Sequence, residues 1–520
     1  MAEIPNKDGL HVRFLTFNVN GLRTFFHFHP FRDMNNSLAK AFDYFKSDII
    51  TFQELKTDPQ SITTWGKTRG FYSFISIPVK RKGYSGVGCW VRIPNSEDPL
   101  FEILQVVKAE EGITGYLSIK IGKSSVRYRD DKALGIGGYQ SLGLQNESEA
   151  LALDAEGRCV MVELKCNAVI ISTYCPANSS QSDEGEEFRL KFLKVLFRRI
   201  RNLQAVGKTV VLMGDINVCR DLIDHAEALK ESHIMVTNLT KGSRVEVENA
   251  QSVREFIYSP SRPARRLLNE MLADSKIPQM AASGTLVDTT RQLQGEDRLK
   301  MYTVWSTLKN ARPINFGSRI DYILVSAHAK DFVKRADIWP EIMGSDHCPV
   351  FADLEFQVPV DNNPKHLKTS LPFEAKQRYS LNHRDILSMF PRSPRVRIAE
   401  SKSDTKQGLI QKPVSNSKKT QSFCVAKLPN AIDFQDGNEV KSHPDALHTQ
   451  ESSLAQKSDS FFHMLHGMLD KPPQCKHGEN SILRTSKTES NPGKKFWVCA
   501  RPKGEPNDKE ASCGYFQWKS

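Results

Sequence analysis

The feature that most constrains this chain is a recurring pattern in which an apolar strand stops at a polar residue. His11–Phe17 runs into Asn18, and Asp48–Phe52 runs into Gln53-Glu54. Ala168–Thr173 delivers Tyr174, and Thr209–Met213 passes through Gly214 to Asp215-Ile216-Asn217. Ser318–Val325 carries one acid, Asp321, inside an apolar run, and a buried acid there needs a partner. Gly344-Ser345-Asp346-His347 places a carboxylate beside an imidazole just before the strand Pro349–Leu354. Short, continuous apolar runs of this kind are read as strands covered on both faces. Between them, Leu193, Leu196, Ile200 and Leu203 recur at helical spacing, with Lys194, Arg198, Arg199 and Arg201 read as the solvated side. A second helix is read at Leu38–Phe45. Strands and helices in alternation predict an α/β fold.

A single Asn or Asp after a strand is an ordinary turn former. Asn18, Glu54, Tyr174, Asp215, Asn217, Asp321, Asp346 and His347 together, with a glutamate and a histidine among them, point instead to one shared rim. Carboxylates suit a hard divalent cation, and histidine moves protons near neutral pH.

Length and charge divide the chain. At 520 residues it exceeds one ordinary core. Residues 357–520 carry 26 Lys and Arg against 17 Asp and Glu, a net of +9 out of the chain's +12. A basic tail of this kind suits an anionic polymer. No apolar run is long enough to span a membrane, so no membrane partner is expected. Met1–Leu10 lacks a signal-peptide core and is not Arg-rich. Six of the ten cysteines are scattered through the first region, as in a reduced compartment.

Residues 357–470 are polar, basic and rich in Pro and Ser, and are read as a disordered linker. Residues 471–520 hold Cys475, His477, Cys499 and Cys513, a Cys₃His set suited to tetrahedral zinc. So short a domain needs such a staple. Aromatics flank these thiols, and Lys494, Lys495 and Arg501 lie among them with Phe496, which together make a stacking surface for single strands.

Seven segments then carry a family resemblance: Phe17-Asn18-Val19-Asn20-Gly21-Leu22-Arg23, Gln53-Glu54-Leu55-Lys56, Gly83-Tyr84-Ser85-Gly86-Val87-Gly88, Tyr174-Cys175-Pro176, Gly214-Asp215-Ile216-Asn217, Asn315-Phe316-Gly317-Ser318-Arg319-Ile320-Asp321-Tyr322 and Gly344-Ser345-Asp346-His347-Cys348-Pro349-Val350. They resemble, in order, the motifs of the exonuclease–endonuclease–phosphatase superfamily, and more narrowly those of exonuclease III-type AP endonucleases. The resemblance covers residues 10–356 and implies a four-layered α/β sandwich nuclease domain over residues 1–356, with its site at one rim.

It further implies a Mg²⁺ or Mn²⁺ site with Glu54 as main ligand, Asp346 assisting, and Asn18, Asp215 and Asn217 around it. Asp215 would orient or deprotonate the attacking water, with Asn217 beside it. His347, aligned by Asp321, would contact the phosphate, and Asn18 and Tyr174 would hold its oxygens. Val304, Ser318, Arg319 and Ile320 would line the substrate pocket. Two departures stand out. Asn20 occupies a position where the family often has an acid. Val304 and Ser318 replace bulky aromatics that enclose an extruded abasic sugar.

The terminal segment, with Gly493-Lys494-Lys495-Phe496 and its four ligands, is similar to a GRF-type zinc finger. His383-Arg384-Asp385-Ile386-Leu387-Ser388-Met389-Phe390 resembles a degenerate sliding-clamp-binding box, in which Ile386 and Phe390 fit and His383 and Met389 do not. The expected activity is metal-dependent hydrolysis of DNA phosphodiesters in base-excision and single-strand-break repair, as a 3′→5′ exonuclease and 3′-phosphodiesterase with weak AP-site incision, and the expected partner is DNA as abasic duplex, recessed or damaged 3′ ends and single strands. It is expected in the nucleus, with mitochondrion or cytoplasm secondary. Two alternatives stay open. One is a phosphatase or lipid phosphodiesterase on the same scaffold, and the other is a DNA-binding scaffold without catalysis.

Overall fold

The computed structural model describes residues 3–79, 83–179, 181–357, 371–381, 473–486, 494–501 and 511–518. The chain divides into two compact units, residues 1–398 and 399–520.

Two six-stranded mixed sheets build the first unit. One runs Val333–Ile338, Val350–Leu354, Val12–Asn18, Ile49–Gln53, Val87–Arg92, Phe71–Ser76. The other runs Leu286–Asp288, Asp321–Ser326, Thr209–Asp215, Ala168–Tyr174, Cys159–Leu164, Val106–Glu111. Side chains alternate across a strand, so each apolar run feeds two layers. In the first sheet Val12, Phe14, Ile49 and Val91 point to the layer between the sheets, where they meet Val162, Ile170, Val211 and Ile323 of the second. Leu15, Phe17, Ile50 and Phe52 point outward, onto the helix Leu38–Phe45 through Ala41, Phe42 and Phe45. Val169, Ile171, Val210 and Leu212 point outward from the second sheet, onto Leu193, Leu196, Ile200 and Leu203 of the helix Asp183–Ala205. Helix, sheet, sheet and helix are the four layers expected.

Three expectations need correction. The strand read as Ser318–Val325 is two pieces. Gly317–Ser318 pairs with Val304–Trp305 in a separate ribbon, and the sheet strand begins at Asp321, which lies opposite Asp215. Arg199 is not on a solvated face. It is fully buried, with Nη1 2.8 Å from Glu110, because the loop 113–137 covers that part of the helix and supplies the Gly137 and Ile113 carbonyls as further acceptors. The packed unit also reaches past Phe356. Residues 371–381 lie back on it: Phe373 is fully buried in the layer between the sheets, Glu374 bridges Phe74, and Arg378 pairs with Glu111 at 2.7 Å. That stretch was read as linker by composition. The proposed clamp-binding box at 383–390 lies outside the described residues.

In the second unit a three-stranded antiparallel sheet, Ile482–Thr485, Lys495–Val498 and Phe516–Trp518, stands beside Cys475, His477, Cys499 and Cys513.

Candidate active site

Strand direction assembles the site. Val12–Asn18 runs parallel to Ile49–Gln53, and Ala168–Tyr174 runs parallel to Thr209–Asp215, so the strand ends carrying Asn18, Glu54, Tyr174 and Asp215 reach one edge. Asp321 opens an antiparallel strand and arrives at that same edge, paired with Asp215. Gly214 makes the approach possible. Its φ is +140°, and a Cβ there would sit 2.0 Å from the Thr173 carbonyl oxygen.

Asn18 ties the two sheets together. Its Nδ2 donates to Glu54 Oε1 and to Asp215 Oδ2, each at 2.9 Å. Both partners are carboxyl oxygens that accept, so the amide faces them with its nitrogen. Its Oδ1 accepts the Asn20 N–H at 3.0 Å. Asn18 thus holds the acids in place with both ends of its amide already engaged. Asp215 Oδ1 accepts the Asn217 N–H at 2.9 Å, and Asn217 Nδ2 donates to the Cys175 carbonyl at 2.8 Å. His347 Nδ1 lies 2.8 Å from Asp321 Oδ2.

The electrostatics follow from burial and spacing. Burial, then the neighbouring Asp321 charge, pushes the Asp215 carboxyl up to about 8. Burial opposes charge on His347, but Asp321, Asp215 and Asp346 outweigh it and raise the imidazole to about 10. Burial likewise opposes charge on Glu54, yet hydrogen bonds from Asn18 and Lys56 hold its pKa below the usual value. The Tyr174 phenol is pushed far up by burial and by the Glu54 and Asp215 charges, so it stays protonated and can donate.

Glu54, Asp215 and His347 offer ligand atoms within 4.8 Å of one another. Two carboxylates at that spacing, one raised by burial and a like charge, fit a divalent cation that would relieve the repulsion. Asp346 lies outside this trio. Its Oδ1 accepts Asn20 Nδ2 at 2.9 Å and Ser345 Oγ at 3.1 Å. In the second unit His477 Nδ1 is 3.7 Å from Cys475 Sγ and 3.5 Å from Cys499 Sγ, and with Cys513 the four donors lie within 4.8 Å of one another. This donor set fits zinc.

Several substrate-binding expectations resolve differently. Val304 and Ser318 face each other across the ribbon and line a cavity of about 350 Å³ that Asp346 also lines. Arg319 does not face substrate. It is 1% exposed, and its guanidinium donates to Asp288 and Asp224 at 2.6 Å each. A cation inside a core must find such partners. Ile320 packs partly buried against the helical cluster around Leu222, Ile223 and Phe256. Arg501 pairs with Glu479 at 2.6 Å. Lys494 and Lys495 are exposed, and Phe496 packs tilted against Phe516 and edge-on against Trp518, at 5.0 and 5.5 Å between centroids.

Three supporting residues escaped the sequence reading. Thr303 Oγ1 donates to Asp321 Oδ2 at 2.6 Å. Arg158 lies 4.9 Å over the Tyr174 ring and donates to the Tyr84 hydroxyl at 2.5 Å. Arg312 donates to the Ser345 and His347 carbonyls at 2.8 and 3.1 Å and so fixes the histidine loop. None of the three ends a strand, and that was the signal that found the others.

The chain is similar to known proteins. Residues 15–347 match the model of the Endonuclease/Exonuclease/phosphatase family, and residues 473–520 match that of the GRF zinc finger. The chain belongs to the Endonuclease/Exonuclease/phosphatase family. It is 51% identical over 515 residues to the DNA-(apurinic or apyrimidinic site) endonuclease 2 of Saccharomyces cerevisiae, spanning 98% of this chain and 97% of that protein. The protein of the same name from Schizosaccharomyces pombe is 27% identical over 576 residues, with 98% of each chain covered. Within the family, then, the chain is an AP endonuclease 2-type nuclease. Among solved structures, the Xenopus laevis APE2 catalytic domain matches with a TM-score of 0.52 at 24% identity, covering 70% of this chain and 97% of that one, a likeness of fold.

Proposed function

We propose that this DNA-repair nuclease works chiefly from 3′ ends, as a Mg²⁺- or Mn²⁺-dependent 3′→5′ exonuclease and 3′-phosphodiesterase, with weak incision at abasic sites. The observation that carries this reading is the cavity of about 350 Å³ beside Asp346, where Val304 stands opposite Ser318. Small side chains there grip an extruded abasic sugar loosely. A frayed 3′ end demands less extrusion than an internal site.

Glu54 and Asp215, with His347 nearby, would hold a divalent ion, which when bound would supply Lewis acidity and lower the pKa of the attacking water. The chain's own residues do the rest. Asp215, fixed by Asn18 and the Asn217 N–H, orients the water and takes its proton. His347 has Nδ1 committed to Asp321, so its other nitrogen serves the phosphate. Charged in this setting, it donates to an oxygen on which negative charge builds. Tyr174 adds a phenol donor, held under Arg158.

In the second unit Phe496, Phe516 and Trp518 make a ring platform beside Lys494 and Lys495, suited to stacking single-stranded DNA. The segment 383–390 is proposed to dock on the replication sliding clamp, and the nucleus is the proposed site of action.

The test is side-by-side kinetics with Mg²⁺ or Mn²⁺ on a recessed 3′ end and on an abasic duplex. Resection is expected to be faster. Faster abasic incision overturns the preference for ends. Cleavage of neither, with phosphate released from an inositol lipid, assigns the chain to the phosphatase arm of the superfamily.

A further inference from the structure

The cavity beside Asp346 contains an acid that no step above uses. Glu227 lines it together with Val304, Leu308, Phe316, Ser318 and Asp346. It is half-buried, on the first turn of the helix Ala226–Glu231. The His225 backbone bridges Ser318 and so ties that helix to the pocket wall, and His225 Nδ1 caps the helix by accepting the Ala228 N–H at 3.1 Å. Among the described residues no ion pair neutralises Glu227. A carboxylate held this way is an unlikely neighbour for a nucleic acid backbone, which carries one negative charge per nucleotide.

Besides the base, the two substrate classes differ at the 3′ oxygen of the sugar in this cavity. The residue 3′ of the scissile phosphate leaves with its sugar in the pocket. At a strand end that sugar carries a free 3′-hydroxyl, which donates to a carboxylate. At an internal abasic site the same oxygen carries the next phosphate, which a carboxylate repels. We propose that Glu227 reads this 3′ oxygen and is the residue that favours ends over internal sites. The inference rests on the reading of the cavity given under Proposed function. It adds a group that selects by charge and hydrogen bonding, where Val304 and Ser318 select by volume.

Three substrates separate the parts: a recessed primer ending in a 3′-hydroxyl, the same primer ending in a 2′,3′-dideoxynucleotide, and a duplex with an internal tetrahydrofuran abasic analogue. The full chain and its Glu227→Gln and Glu227→Ala variants are compared by kcat/KM, with thermal melts as fold controls. The wild type is expected to prefer the hydroxyl end to the dideoxy end, and Glu227→Ala to lose that preference. Glu227→Gln keeps an acceptor but no charge. It should keep the hydroxyl preference and raise abasic incision relative to resection by about fivefold, the size of one solvated like-charge contact. An unchanged ratio of abasic incision to resection in the isosteric Glu227→Gln variant, or a hydroxyl preference that survives Glu227→Ala, overturns the proposal. If the wild type incises abasic sites faster than it resects, the reading of Proposed function fails. The shift of the ratios in the variants still decides Glu227.

Discussion

The two units place their functional groups by opposite means. In the nuclease unit, Asn18, Asp215 and Asp321 are each 1% exposed or less and sit in a hydrogen-bond network that four packed layers hold in register. In the finger, Phe516 is 52% and Trp518 42% exposed, and among the described residues few, Cys475 and Cys499 included, are buried. A reaction needs its acids fixed to a fraction of an ångström before substrate arrives, and a large core supplies that rigidity. A stacking surface tolerates any base and needs rings that face solvent, so a small sheet stapled by one ion suffices.

The strongest way to break this comparison is to remove the staple. Zinc binding in small domains is worth about 10–16 kcal/mol and is inseparable from folding. Cys499→Ala is expected to abolish hydrogen-exchange protection in Ile482–Thr485 and Lys495–Val498 while the melting transition of the nuclease unit stays put. A shifted nuclease transition would show that the units share stability after all.

The next largest effect belongs to Asp215. Asp215→Asn removes a proton acceptor and is expected to slow nucleotide release by about 10²–10⁴-fold. The melting temperature should not fall, because the change also removes a buried acid whose ionisation burial and the Asp321 charge oppose. Activity within tenfold of wild type would remove Asp215 from its role.

Arg319 sharpens the contrast within the nuclease unit. Arg319→Met leaves Asp224 and Asp288 short of their shared cation, and breaking such a buried pair costs about 3–5 kcal/mol. Denaturant melts should show that loss, and DNA affinity of the folded fraction should not change. A variant of normal stability that binds DNA poorly would return Arg319 to the substrate surface.

The smallest effect lies on the finger. Trp518→Ala should weaken binding of a single-stranded oligonucleotide by about 1–3 kcal/mol per stacked base. Duplex binding should stay nearly constant by anisotropy, and equal losses on both would mean that the ring does not stack.

Much of the nuclease unit was legible because burial on both faces forces continuous apolar runs, and a polar residue ending such a run stands out. Asn18, Tyr174 and Asp215 were found that way and all reach the rim. Arg319 misled because a guanidinium in a motif looks the same whether it faces DNA or a core. Only the Asp224 and Asp288 carboxylates, far away in sequence, decide which. Arg199 misled for the same reason, since Glu110 lies in a distant strand. Thr303 and Glu227 gave no signal, because their importance lies in neighbours brought by the ribbon and not in their own spacing.

Residues 371–381 bear on how the nuclease can be cut free for study. Phe71–Ser76 is the last strand of its sheet, and this segment covers it. A fragment ended at residue 357, where composition changes, would strip Phe373 from the layer between the sheets, leave Glu111 without Arg378 and uncover the edge strand at Phe74. Exposed strand edges recruit other chains, so such a fragment is prone to self-association, and a fragment ended after Leu381 keeps its edge covered.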